Sequence, residues 1–347
     1  MAVVDCELEK ELKQFDETKA GVKGLVDAGV TKLPRMFRHP PESLPSPNQN
    51  NGVDSNLQVP VIDLKDVDIC ERRKEIINDL RKAAEEWGFF QIVNHGIPNA
   101  VMDKVLKGVR GFHELPQEAK EKWYSRDFKK KVNFFSNGEL KVSTPADWRD
   151  TLSCKGLEDE CNFEAIPEVC REEIREYMKY IVQVQEKLSK LFSEALGLDS
   201  DYLENLSCFK SRSLACHYYP VCPEPHLTLG GTRHSDLGFL TLLLQDSGGL
   251  QILHDNVWID VPPVERALLT NLADMLQVIV VTNGKFKSVE HRVLMPATLE
   301  PRTSIACFVG TDDLQKPYGP IKELISEDNP AIYKEVLFGE YMNRYKL

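Results

Sequence analysis

His234-Ser235-Asp236 sets an imidazole and a carboxylate two residues apart. In an extended strand, residues i and i+2 point to the same face, so the two side chains can share one metal ion. A third donor, His291, follows in Ser288-Val289-Glu290-His291-Arg292-Val293, a strand-like run that a sheet can fold back alongside the first. Two histidines and one carboxylate occupy one face of an octahedral ion and leave three positions open. That arrangement suits iron(II) receiving a chelating co-substrate together with dioxygen, whereas closed structural zinc sites leave no such room. Further along, Arg302-Thr303-Ser304 puts a guanidinium and a hydroxyl on one strand face, where they can receive a carboxylate through charge-assisted hydrogen bonds. A dicarboxylate would then bridge metal and arginine. An H-x-D triplet by itself is a weak signal because it arises by chance, and a lone arginine more often forms a surface ion pair worth about 0–1 kcal/mol. The ordered set of H-x-D, His and R-x-S is far more specific.

Positioning these residues calls for a sheet scaffold, and the texture of the chain supplies one. From Ser213 onward, short β-type runs at 239–244, 250–253, 258–261, 278–282 and 305–309 alternate with Gly, Pro, Asn and Asp turn signals. Such a pattern reads as a sandwich or jelly roll. Upstream, residues 5–20 are helical in pattern, 40–56 have the composition of an exposed linker, and 59–64 and 88–93 read as strands around a helix at 68–87. Helical periodicity returns at 98–124 and at 167–196, where Ile174, Met178, Ile181, Val182, Val184, Leu188 and Leu191 recur at three- and four-residue spacing. The expected architecture is mainly β with flanking helices: a double-stranded β-helix (jelly-roll) core and an α-helical N-terminal region. We expect a helical extension and linker over 1–58, a helix-rich region with short strands over 59–205, and the jelly roll with its tail over 206–347, its core at 206–310.

Composition narrows the partners. The 347 residues are 42% hydrophobic and 28% charged, which is ordinary for a globular chain and unlike disorder. A formal charge of −11, with no basic cluster interleaved with aromatics, repels phosphate backbones and argues against nucleic acid. The acidic residues of the amino terminus and the lack of any long apolar run argue against a secretory signal or a membrane span, and so for a cytoplasmic protein. Nine cysteines with no C-x-x-C pair read as reduced, structural thiols. His39, His95, His113, His226 and His254 fit no ligand spacing and are expected to be structural or superficial. Met275 and the apolar stripes read as core.

Beyond the triad and Arg302-Thr303-Ser304, several separate landmarks recur in order: Trp87-Gly88-Phe89-Phe90-Gln91-Ile92-Val93-Asn94-His95-Gly96, His217-Tyr218-Tyr219-Pro220 and Gly249-Leu250-Gln251-Ile252. In these, over nearly its whole length, the chain resembles the plant 2-oxoglutarate- and iron(II)-dependent dioxygenases. Phe15 to Leu25 and Tyr318 to Leu324 look like the 1-aminocyclopropane-1-carboxylate oxidase homologue group, which includes deacetoxyvindoline 4-hydroxylase. The resemblance implies a hydroxylase of specialised metabolism that converts 2-oxoglutarate to succinate and CO2, with ascorbate as reductant. A small organic substrate and O2 would be its partners, and the enzyme would be a monomer. It implies that Tyr219 joins Arg302 and Ser304 at the distal carboxylate of 2-oxoglutarate. Phe308, together with Phe134 in the 125–148 segment, is the expected substrate-pocket lining. Two departures stand out: His217 occupies a position where many relatives carry Asn, and Gln277 to Gly284 is longer than the usual connection, which would shift the hairpin presenting His291.

Three other readings compete. An ethylene-forming oxidase relative shares the triad and R-x-S but uses ascorbate in place of 2-oxoglutarate. An inactive homologue would keep a pocket for a small metabolite. A zinc hydrolase could use the two His and one Asp, but it leaves Tyr219, Arg302 and Ser304 without a shared task.

Overall fold

The run Arg302–Gly310 alternates between two environments, and that alternation organises the molecule. In the computed structural model, which describes residues 5–45, 57–138, 140–141, 144–279 and 282–344, Arg302, Ser304, Ala306 and Phe308 face a cavity. Ile305, Cys307 and Val309 face the other way, into an apolar layer shared with the helices.

Twelve strands build the body around this run. They are β1 (Val61–Asp63), β2 (Phe89–Val93), β3 (Val132–Ser136), β4 (Asp150–Lys155), β5 (Ser211–Tyr219), β6 (Leu229–His234), β7 (Leu240–Gln245), β8 (Leu250–His254), β9 (Val257–Asp260), β10 (Leu268–Leu272), β11 (His291–Leu294) and β12 (Arg302–Gly310). The larger sheet runs β1-β2-β10-β7-β12-β5-β4-β3, and the smaller runs β6-β11-β8-β9. The two sheets face one another as a jelly roll. Phe89, Tyr219 and Leu269 of the larger sheet pack with Leu250, Ile252, Ile259 and Val293 of the smaller one.

The outer face of the larger sheet is covered by three helices, Cys70–Glu86, Asn99–His113 and Glu168–Ala195. Each presents an apolar stripe: Ile76 and Leu80 from the first, Val105 and Phe112 from the second, and Ile174, Ile181 and Leu188 from the third. Another helix, Cys6–Thr18, adds Leu12 and Phe15 to the core between the sheets. Asp150, at the start of β4, accepts the Val22 and Lys23 amides at 2.8 Å each and so ties this N-terminal region to the sheet. Among the described residues, no helix is long and apolar enough to cross a membrane.

Two expected elements differ. The helix expected over 98–124 stops at His113, and only short turns follow at Gln117–Lys120 and Glu121–Trp123. Pro116 explains the break, because its ring disfavours helical backbone at the residue before it. The strand expected at 278–282 is replaced by a π-helical turn, Met275–Ile279, while residues 280 and 281 lie outside the described residues. The β-branched run favours a strand locally, but Met275 N–H donates to Gly238 O and Gln277 N–H to Ala273 O, which commits the chain to helical winding. A π turn accommodates extra residues, and His291 still pairs directly opposite His234. The longer connection therefore leaves the hairpin in place. Residues 46–56 of the expected linker also lie outside the described residues.

Candidate metal centre and its cavity

His234 ends β6 and His291 begins β11, and the antiparallel register brings their rings to a centroid separation of 4.2 Å. Asp236 lies two residues past the end of β6, just before a bend at 237–239, rather than in the extended strand that the spacing predicts. It still reaches the same point: its Oδ1 is 3.9 Å from His234 Nε2 and 3.8 Å from His291 Nε2. One donor atom from each of the three residues lies within 4.8 Å of the others.

The hydrogen bonds fix which atoms face inward. His234 Nδ1 lies 2.7 Å from the Thr232 carbonyl and His291 Nδ1 lies 3.3 Å from the Val289 carbonyl. A carbonyl only accepts, so each Nδ1 carries the proton and each Nε2 keeps its lone pair for a metal. Asp236 Oδ2 accepts from Thr241 Oγ1 at 2.6 Å and from Asn271 Nδ2 at 2.7 Å, which leaves Oδ1 directed at the two imidazoles. Burial and the neighbouring His234 ring push His291 down to about 4, so it is neutral at physiological pH. Burial would raise the Asp236 carboxyl, but the two histidines and the Asn271 and Thr241 hydrogen bonds outweigh it and hold the group below the ordinary carboxylate range. Two imidazoles and one carboxylate, open on the cavity side, fit a hard to borderline divalent cation such as iron(II).

Arg302 is 1% exposed. Its Nε donates to Gly248 O at 2.8 Å, Nη1 to Ser304 Oγ at 3.0 Å and Nη2 to Gln245 Oε1 at 2.7 Å. The guanidinium also lies 4.7 Å from the centre of the Tyr219 ring, in the cross-strand position opposite it. All three acceptors are neutral, and among the described residues no carboxylate pairs with this buried cation. Arginine carries five N–H donors, so two remain, one on each terminal nitrogen. That is the number a carboxylate takes in a two-point contact. Gly230 makes room for the tyrosine, because a Cβ there would sit 2.7 Å from Tyr219 Cδ1.

The three donor residues, Tyr219, Arg302 and Ser304 line one cavity. Its wall also includes Phe308, His217, Arg149, Leu243 and Leu269. Phe308 is where the strand alternation predicts. Phe134 is not: it is fully buried on the helix side of the larger sheet, against Phe112, His113 and Tyr124. The correction is one of strand parity. Phe134 pairs with Leu152 and, through it, with Cys216, whereas Phe135 pairs with Thr151 and then with His217 on the cavity face. His217 lies outside the ligand triad, and burial above all, with Arg149 and Arg302 nearby, pushes it well below its ordinary value. Arg149, Thr241, Gln245 and Asn271 were not singled out by the sequence reading. A signal exists for two of them: Thr241 and Asn271 interrupt apolar strands, and a buried polar residue needs a partner.

Comparison with known proteins agrees with this geometry. Residues 210–311 match the 2OG-Fe(II) oxygenase superfamily, and residues 59–168 match the N-terminal region of a non-haem dioxygenase in morphine synthesis. The chain is 48% identical over 340 residues to 1-aminocyclopropane-1-carboxylate oxidase homolog 1 of Arabidopsis thaliana, covering 96% of this chain and 92% of that one. It is also 48% identical to deacetoxyvindoline 4-hydroxylase of Catharanthus roseus, covering 96% and 84%. Among solved structures, JOX2 in complex with 2OG, Fe and JA superposes with a TM-score of 0.80 at 30% identity, covering 93% of this chain and 92% of that one. The chain belongs to the 2OG-Fe(II) oxygenase superfamily, as a 2-oxoglutarate- and iron(II)-dependent dioxygenase with ascorbate as its accessory reductant.

Proposed function

We propose that this enzyme hydroxylates a small plant specialised metabolite. In this reading His234, Asp236 and His291 hold the iron, and Arg302, Ser304 and Tyr219 hold the distal carboxylate of 2-oxoglutarate. The observation that carries these roles is the pairing of a buried, carboxylate-free Arg302 with three inward-facing donor atoms across one cavity. A buried cation without a counter-charge is costly, and a bound dicarboxylate relieves that cost while its other end reaches the metal. When bound, iron(II) and 2-oxoglutarate supply the oxidising chemistry: O2 is consumed, 2-oxoglutarate leaves as succinate and CO2, and one oxygen atom passes to the organic substrate.

The chain's own residues position and shield. Thr241 and Asn271 hold the Asp236 carboxylate in one orientation. Phe89, Leu243, Leu250 and Leu269 make the floor of the cavity apolar and keep water from the reacting groups. Phe308, His217 and Arg149 face the space left for the organic substrate, with Phe135 on the same side of the sheet. Two relatives support a metabolite of moderate size: one is named as a hydroxylase of deacetoxyvindoline, and the other was solved with JA. The described cysteines form no disulfide, which supports a reducing, cytoplasmic setting.

The test is succinate release by anaerobically purified, iron(II)-reconstituted protein given 2-oxoglutarate, ascorbate and air, with plant metabolites added in pools. Wild-type succinate should rise with one pool and be absent from Asp236→Ala. Folded, iron-loaded protein that releases no succinate with any pool would overturn the proposal. Turnover that needs ascorbate but not 2-oxoglutarate would replace it with the ascorbate-dependent oxidase reading.

A further inference from the structure

Asp274 takes no part in the roles above, yet its carboxylate gathers hydroxyl donors from three separate parts of the chain. Oδ1 accepts from Ser288 Oγ at 2.6 Å, and Oδ2 accepts from Ser235 Oγ at 3.0 Å and from the Tyr341 hydroxyl at 2.8 Å. Its own N–H donates to the carbonyl of Asp236 at 2.8 Å. Ser235 stands between two of the three candidate metal ligands, and Ser288 opens the run that carries the third. Tyr341, 67 residues further on, belongs to the C-terminal helix Phe338–Arg344.

The chemistry of this junction calls for a carboxylate. An ionised carboxylate is acceptor-only, so it can receive all three O–H groups together, each as a charge-assisted bond. An amide in its place would turn an N–H2 toward at least one of them. The location matters as well, because Asp274 directly precedes the π turn Met275–Ile279, from which the long connection leads to the hairpin of His291. The Asp274–Ser288 bond spans this connection, and the side chain of Gln277 adds a second clip by accepting the Ser288 N–H. A register slip of one residue would turn His291 away from the cavity.

We propose that Asp274 is a positioning residue of the iron centre, and that through Tyr341 it makes the C-terminal helix part of that centre. The inference rests on the triad being the iron site. It predicts that the geometry of His234, Asp236 and His291 depends on a helix that contributes no ligand. Second-sphere substitutions typically lower metal affinity about 10–100-fold, and Asp274→Asn should fall in that range.

The experiment is anaerobic titration of the full-length apoprotein with iron(II) alone. The visible charge-transfer band on adding 2-oxoglutarate and the apoprotein melting temperature are read alongside. The expected result is weakened iron(II) binding and an altered band for Asp274→Asn, with Tyr341→Phe changing both in the same direction to a smaller extent. A lowered apoprotein melting temperature with wild-type iron affinity and an unchanged band would make Asp274 merely structural and overturn the proposal. If Asp274→Asn does not fold, Tyr341→Phe and Ser288→Ala, each removing one hydroxyl, decide by the same readouts. Wild-type protein that binds no iron(II) would remove the reading of the triad itself, whereas wild type and variants that bind iron(II) equally would remove only this inference.

Discussion

Replacing Arg302 by methionine separates the cost of a buried cation from the benefit of its ligand. In the folded chain the guanidinium donates three of its five N–H groups to Gly248, Ser304 and Gln245, all neutral, and is almost wholly out of water. Removing a buried charge that lacks an ionic partner is neutral or stabilising in many proteins, so Arg302→Met apoprotein should melt at or near the wild-type temperature. Ligand binding should behave oppositely. Two remaining N–H donors toward a carboxylate, at about 1.5–3 kcal/mol each for hydrogen bonds to charged groups, sum to about 3–6 kcal/mol. That is a loss of about a hundredfold to ten-thousandfold in 2-oxoglutarate affinity. The assays are the KM for 2-oxoglutarate from succinate release, and the rise in melting temperature on adding it. A concentration of 100 Kd stabilises by about 2.7 kcal/mol, so wild type should show a clear rise and Arg302→Met none at the same concentration. Arg302→Met with a KM within about threefold of wild type, a difference of under about 0.7 kcal/mol, would refute the reasoning.

Two further predictions follow from packing and from protonation. Phe134→Ala should destabilise the fold by about 3–5 kcal/mol in urea titration through cavity formation while leaving the KM for 2-oxoglutarate unchanged; Phe308→Ala should instead alter which metabolite pool stimulates succinate release, and the opposite pattern would reverse the assignment of the two sheet faces. Burial pushes His113 down to about 3 in the folded chain, below its unfolded value near 6.5, so its contribution is fully present above about pH 6.5 and lost as pH falls toward 3, at about 1.36 kcal/mol per pH unit. Urea unfolding of the apoprotein between pH 6.5 and 5 should show a shallower loss of stability for His113→Gln than for wild type, and equal slopes would show that His113 is not the group responsible.

How much of this was legible beforehand depends on the range of the physics involved. The triad, the R-x-S pair and Tyr219 were legible because each is a residue type with a specific coordination or hydrogen-bonding capacity, set at a spacing that strand geometry converts into a shared face. The Glu168–Ala195 helix was legible because its apolar stripe is long and regular. Phe134 went to the wrong face because strand periodicity is two, and without a known register an error of a single residue inverts the assignment. The π turn was hidden because Val278 and Ile279 favour a strand by propensity, while hydrogen bonds from Met275 to Gly238 and from Gln277 to Ala273 decide the winding.

The sequence by itself determined the chemistry available to this protein: two imidazoles and a carboxylate for a divalent metal, a guanidinium for a dicarboxylate, and alternating strands to carry them. Tertiary structure alone decided the rest. It selected Asp236 Oδ1 over Oδ2 through Thr241 and Asn271, and among the described residues it left Arg302 without an ionic partner. It also linked Ser235, Ser288 and Tyr341 at Asp274. Except for Thr241, five residues from Asp236, these partners lie well apart in the chain, and hydrogen bonds over such separations are fixed by how the sheets and helices pack rather than by any local pattern.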